Sequence, residues 1–95
     1  MVESKAVARK FLISGEVQGV GFRFFAQRAA ARHQVLGYVK NLEDGRVESL
    51  AEGSEKAVEE FKKDLLAGPS YSKVDHLEEI VLDPSGRYSS FRIEH

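Results

Sequence analysis

The chain is predicted to fold as an α+β sandwich, one antiparallel sheet with two helices on one face, in the order βαββαβ. Four strand-length apolar runs, two one-sided apolar stripes of helical spacing, and Gly, Pro and Asp signals between them carry that expectation. The 95 residues suffice for one core and are too few for two, so residues 1–95 are expected to be one domain.

Lys5 to Ser14 holds Phe11, Leu12 and Ile13 after the alternating Val7, Ala8 and Arg9, and runs into a glycine-rich segment, the pattern of a central strand. From Phe22 the apolar and small residues recur at Phe25, Ala26, Ala29 and Ala30, one face of an amphipathic helix that Gly37 is expected to close. Arg23, Gln27 and Arg28 fall on its other face. Val35 to Leu42 reads as a second strand, Glu43-Asp44-Gly45-Arg46 as a turn, and Val47 to Ala51 as the third strand of a hairpin. Ser54 can cap a second helix with the stripe Ala57, Val58, Phe61 and Leu65; Gly68-Pro69 ends it, and Lys62, Lys63 and Asp64 are expected in solvent. Val74 to Leu82 is a fourth strand with Val74, Ile80 and Leu82 in one phase, Asp83-Pro84-Ser85-Gly86 turns, and Ser90 to Ile93 adds a short edge strand. Two βαβ halves in succession make the split arrangement of ferredoxin-like domains, with Phe22, Phe25, Phe61 and Phe91 expected in the core.

Fourteen Lys and Arg against 15 Asp and Glu leave a net charge of -1, which supplies no global field for a nucleic-acid backbone or an anionic membrane. No apolar run approaches the roughly 20 residues of a membrane span, and Met1 to Lys10 resembles no signal peptide, so a cytoplasmic location is expected. With no cysteine, thiolate nucleophiles, disulfides and Cys-based metal sites are excluded. His33, His76 and His95 lack a ligand spacing and are expected at the surface, so no metal or cofactor is expected. A single Asn and a single Met make a composition also met in heat-adapted proteins.

The segment Gly15-Glu16-Val17-Gln18-Gly19-Val20-Gly21-Phe22-Arg23 lies between a predicted strand and a predicted helix. Glycines let successive backbone amides turn inward, and the first helical amides have no intrahelical acceptor, so the segment can form a nest for an oxyanion such as phosphate. Arg23, in the first helical turn, can fork onto the same anion. A tight turn with a solvated arginine is the alternative. The spacing fits neither Gly-x-Gly-x-x-Gly nor the Walker loop. Asn41 ends the run Gly37-Tyr38-Val39-Lys40-Asn41, where an asparagine is commonly a turn-former. A helix from Phe22 to about Gln34 descends roughly 20 Å and a strand from Val35 to Asn41 climbs roughly 23 Å, which returns Asn41 to the level of the loop. In a split βαβ unit the first two strands are parallel with one strand between them, so Asn41 can face an anion at the end of the first.

An anion nest, one arginine and one amide, with no nucleophile or well-placed histidine, restrict the chemistry. A phosphate ester generally needs a metal or a general acid for its alkoxide, whereas an acyl phosphate expels a carboxylate whose acid has a pKa near ~4. Holding the phosphoryl group, neutralising its oxygens and aiming a water are then sufficient.

The motif Gly-x-Val-Gln-Gly-Val-x-Phe-Arg at 15–23, followed by Gly37-Tyr38-Val39-Lys40-Asn41 and Asp44-Gly45-x-Val47-Glu48, resembles the acylphosphatase family. The resemblance runs from about Phe11 to Glu52 and continues more weakly through Gly53, Phe61, Gly68-Pro69 and Val74 to Phe91-Arg92-Ile93. It implies a ferredoxin-like sandwich that hydrolyses acyl phosphates to a carboxylate and inorganic phosphate without a metal, with phosphate as product and competitive inhibitor. It further implies that Arg23 binds the phosphate with the backbone amides of Val17, Gln18, Gly19, Val20, Gly21 and Phe22. Asn41 would orient the attacking water, and a substrate phosphate oxygen would take its proton. Tyr38 stands where Trp is also common, and Glu94-His95 departs from the Arg-Tyr-like finish of many members. The same motif opens a large hydrogenase-maturation protein that handles carbamoyl phosphate, whose zinc-binding cysteines and later domains are not in this sequence, so a free-standing monomeric enzyme is expected.

Glu16, Glu43 and Asp44 are weaker candidates for a base, since turn carboxylates are usually solvated. Two other classes compete with the enzyme. A non-catalytic phosphate-sensing module would share the nest; an RNA-binding domain on the same fold would show aromatics where the third strand reads Val47-Glu48-Ser49-Leu50.

Overall fold

A computed structural model describes residues 5–95; the first four residues of the segment read above as no signal peptide lie outside the described residues. The elements are β1 (Ala6–Glu16), α1 (Phe22–His33), β2 (Leu36–Asn41), β3 (Val47–Ser54), α2 (Glu55–Ala67), β4 (Lys73–Leu82) and β5 (Phe91–Glu94). The sheet order is β4-β1-β3-β2-β5. Every neighbouring pair is antiparallel except β2 with β5, which are parallel, so the short last strand makes the sheet mixed rather than wholly antiparallel. Both helices pack on one face, α1 over β2 and β5 and α2 over β1, β3 and β4, the ferredoxin-like sandwich predicted from the order of elements.

Alternation decides which side chains enter the core. Phe11 and Ile13 of β1, Val39 of β2, and Val47 and Ala51 of β3 lie on the helix face, under Phe22, Ala26, Ala29 and Ala30 of α1 and Val58, Phe61 and Leu65 of α2. Phe61 meets Phe11 at 6.3 Å and Phe91 edge-on at 5.5 Å between ring centroids. Each buried phenylalanine contributes about 1.5–3 kcal/mol. Phe25 is half-buried and meets Phe22 at 6.0 Å.

Local chemistry explains the helix ends, with one correction. Ser54 caps α2 by accepting the Ala57 amide at 3.1 Å, and Gly68 closes it at a φ of 68°. Gly37 does not close α1; Gln34 does, in the left-handed region at a φ of 58°, donating its backbone N–H back to Ala30 and Ala31. Gly37 instead lies inside β2 at a φ of 140°, where a Cβ would overlap the Leu50 carbonyl of β3.

Three other expectations change. Lys62 reaches Glu79 of β4 at 2.6 Å, where Arg9 also binds. Asp64 is half-buried and bridges to α1 through Arg32 and His33, both at 2.8 Å. Val74 does not share a face with Ile80 and Leu82, because the β1–β4 register slips between Ser14 and Gly15. That slip turns Val74 to the helix face, which Leu77 opposite Ile13 reaches by alternation alone, and leaves Ile80 and Leu82, opposite Lys10 and Ala8, on the other.

The helix-free face is not bare. Residues 83–90, of which the sequence marks 83–86 as a turn, cross it from β4 at one edge to β5 at the other. Glu52, 7% exposed, holds this crossing, accepting the Ser85 hydroxyl at 2.7 Å and the Ser85 and Gly86 amides at 3.1 Å. Among the described residues no helix is long and apolar enough to cross a membrane.

Candidate active site

The register places the two predicted functional elements at one height. Ile13, near the end of β1, and Asn41, the last residue of β2, both pair with Val47 of β3. Partners in one row share a face, so Asn41 points to the helix side, two strand spacings or roughly 10 Å from Ile13.

Between β1 and α1 the chain makes the predicted loop. Gly19 and Gly21 have φ of 75° and 77°, so their amides turn in a direction other residues rarely adopt. Gly21 is also the N-cap of α1, with no side chain capping it and no acidic residue in the first turn. The first helical bond runs from the Phe25 amide to the Gly21 carbonyl at 3.0 Å. Among the described residues, the amides from Gln18 to Phe24 donate to no other backbone carbonyl. They and the positive end of the helix dipole form a seat for negative charge.

These groups open on a hollow of about 180 Å³ lined by Val17, Gly19, Gly21 and Phe22 of the loop, Arg23 and Phe24 of α1, and Asn41 of β2. A hollow of this size can seat a phosphoryl group. Arg23 is half-buried, and its Nη1 donates to the Glu94 carbonyl at 3.1 Å and lies 3.3 Å from His95 Nδ1. This anchor on β5 leaves Nε and Nη2 with no protein acceptor among the described residues.

Asn41 does not behave as a turn-former. The β2–β3 turn is closed by the Leu42 amide on the Arg46 carbonyl at 2.8 Å, the Gly45 amide on the Leu42 carbonyl at 3.2 Å and the Arg46 amide on Asp44 at 3.1 Å. The Asn41 Oδ1 is buried and has no hydrogen-bond partner among the described residues. Such an orphan costs about 1–3 kcal/mol, a cost that a ligand or water donor would remove.

Of the residues predicted for the site, the hollow brings together Val17, Gly19, Gly21, Phe22, Arg23 and Asn41. Val20 packs against the core, and Gln18 turns away to donate its Nε2 to the Leu42 and Arg46 carbonyls at 2.8 and 2.9 Å. Gln18 therefore ties the loop to the hairpin that carries Asn41. Reading the sequence assigned only its backbone; an amide side chain between glycines in a strand-to-helix turn was the available signal. The Glu94 anchor of Arg23 is a backbone carbonyl and leaves no sequence signal. Glu16, Glu43 and Asp44 are exposed and line no part of the hollow. The Asp44 carboxyl is held below its usual range by the Arg46 amide and guanidinium. Among the described residues no three His, Asp or Glu side chains converge as metal ligands would.

Comparison with known proteins identifies the relatives of this chain. The model of the family described as Acylphosphatase matches residues 9–93. The acylphosphatase of Koribacter versatilis (strain Ellin345) is 43% identical over 86 residues, 90% of this chain and 78% of the relative. The crystal structure of acylphosphatase from Bacillus subtilis superposes with a TM-score of 0.91 at 37% identity, over 94% of this chain and 99% of that one. An acylphosphatase structure from Coxiella burnetii gives a TM-score of 0.90 at 30% identity, over 99% and 100% of the two chains. With its family model spanning nearly the whole sequence, the chain belongs to the acylphosphatase family.

Proposed function

We propose that the chain hydrolyses acyl phosphates to a carboxylate and inorganic phosphate, as a monomeric, single-domain cytoplasmic enzyme that uses no metal. The observation that carries this reading is the convergence of unpaired helix-end amides, the open edge of Arg23 and the orphaned Asn41 Oδ1 on one small hollow. In the proposed step the loop amides and Arg23 hold the phosphoryl oxygens, and Asn41 accepts a hydrogen bond from a water aligned on phosphorus. The water oxygen bonds to phosphorus, the bond from phosphorus to the acyl oxygen breaks, and the carboxylate leaves with the electron pair. A phosphoryl oxygen takes the water proton, so no protein acid or base is required. Because the leaving carboxylate has a conjugate acid of pKa near ~4, electrostatic stabilisation and positioning suffice.

Phosphate release from acetyl phosphate in excess chelator tests the reading. Turnover should persist, and inorganic phosphate should inhibit competitively. Loss of turnover restored by a divalent ion would overturn the metal-free step, and phosphate binding without turnover would identify an anion-sensing module instead.

A further inference from the structure

Phe24 is 69% exposed, between the buried Phe22 and the half-buried Phe25, and it takes no part in the apolar core. It nevertheless lines the same hollow as Arg23 and Asn41. Val17 and Phe22, which also line that hollow, are buried, which leaves Phe24 as its exposed apolar residue. A substrate seated by its phosphoryl end on the loop amides must carry its acyl group outward, since in-line displacement sends the leaving carboxylate away from the attacking water. Among the residues lining the hollow, Phe24 is the apolar one exposed enough to meet that group. Covering the ring with a flat or extended apolar group removes both surfaces from water and adds ring stacking where the acyl group is aromatic. An acetyl group is too small to cover it.

We infer that Phe24 is a specificity-determining residue that favours acyl phosphates with an aromatic or extended apolar acyl group; this rests on the proposed hydrolysis and names its substrate class. The test compares kcat/KM for benzoyl phosphate and acetyl phosphate, and the inhibition constant of inorganic phosphate, in the unaltered protein, Phe24→Ala and Phe24→Tyr. Alanine is a good helix former, so Phe24→Ala keeps α1 intact. The ratio of benzoyl to acetyl kcat/KM should fall about 5- to 10-fold in Phe24→Ala through a higher KM for benzoyl phosphate, and return to within about two-fold in Phe24→Tyr. The phosphate constant, which involves no acyl group, should move by less than about two-fold. An unchanged ratio, or equal losses on both substrates with weaker phosphate inhibition, overturns the inference while hydrolysis stands. No turnover of either substrate by the unaltered protein overturns the hydrolysis, and the inference with it.

Discussion

Arg23 is anchored on one side and open on the other: Nη1 rests on the Glu94 carbonyl while Nε and Nη2 have no acceptor among the described residues. The anchor fixes the guanidinium plane before substrate arrives, so its remaining donors meet a phosphoryl group without first losing conformational freedom. A lysine would keep the charge and lose both the anchored plane and the two-point contact. Arg23→Lys should lower kcat/KM by at least ~100-fold, about 2.7 kcal/mol, with thermal stability nearly unchanged. Kinetics within a few-fold of the unaltered protein, measured on a folded variant, would remove Arg23 from the proposed step. The arginine was legible in the sequence through the whole motif from Gly15 to Arg23, because a glycine loop followed by an arginine reads equally as a tight turn with a solvated side chain. Its anchor was not, since a carbonyl 71 residues away leaves no local trace.

At the scale of elements, the β1–β4 pairing shows how close backbone approach is written in glycine. Gly15 sits at the register slip with a φ of 128°, and a Cβ there would overlap the Lys73 carbonyl of β4. Gly45, in the β2–β3 turn, has a comparable φ of 94°, but a Cβ there would meet open space. Gly15→Ala should therefore cost ~2–4 kcal/mol, lowering the thermal midpoint by roughly 10 °C or more, whereas Gly45→Ala should cost about 1 kcal/mol. Equal shifts in the two melting curves would show that backbone angle alone, and not the contact with β4, sets the requirement at Gly15. The strands and helices were legible within a few residues because each carries its own period and its own end signals, as Ser54 and Gly68 do for α2. Partnership was less so. The slip that re-aims Val74 and the parallel docking of β5 on β2 arise from contacts between distant segments, and alternation within one strand cannot reveal them.

At the scale of the molecule, the crossing of residues 83–90 over the helix-free face joins the two sheet edges and carries the chain to β5, which in turn anchors Arg23. Glu52 is its principal tie. Burial opposes ionisation of this carboxyl, but the Ser85 hydroxyl, the Ser85 and Gly86 amides and the Arg87 charge outweigh burial and hold it below its usual range. A carboxyl whose folded pKa is depressed adds stability that is fully present above its unfolded pKa and is lost as pH falls through the folded value. Glu52→Gln should thus lower stability at pH 7 by about 1–2 kcal/mol, and the gap should close as pH drops below about 4. Urea unfolding of both proteins from pH 3 to pH 7 checks this; curves that stay parallel would show that Glu52 acts through packing and not through its charge.

The central claim is that Asn41, returned by β2 to the height of the loop, positions the nucleophile and contributes little to phosphate binding. One Asn41→Ala preparation tests it, with kcat, the phosphate inhibition constant and the thermal midpoint measured together. The account predicts a fall in kcat of at least ~100-fold, a phosphate constant changed by only a few-fold, and no loss of stability, since removing an orphaned buried oxygen breaks no hydrogen bond. Intact kcat with a lowered midpoint would contradict it and return Asn41 to the role of a turn residue.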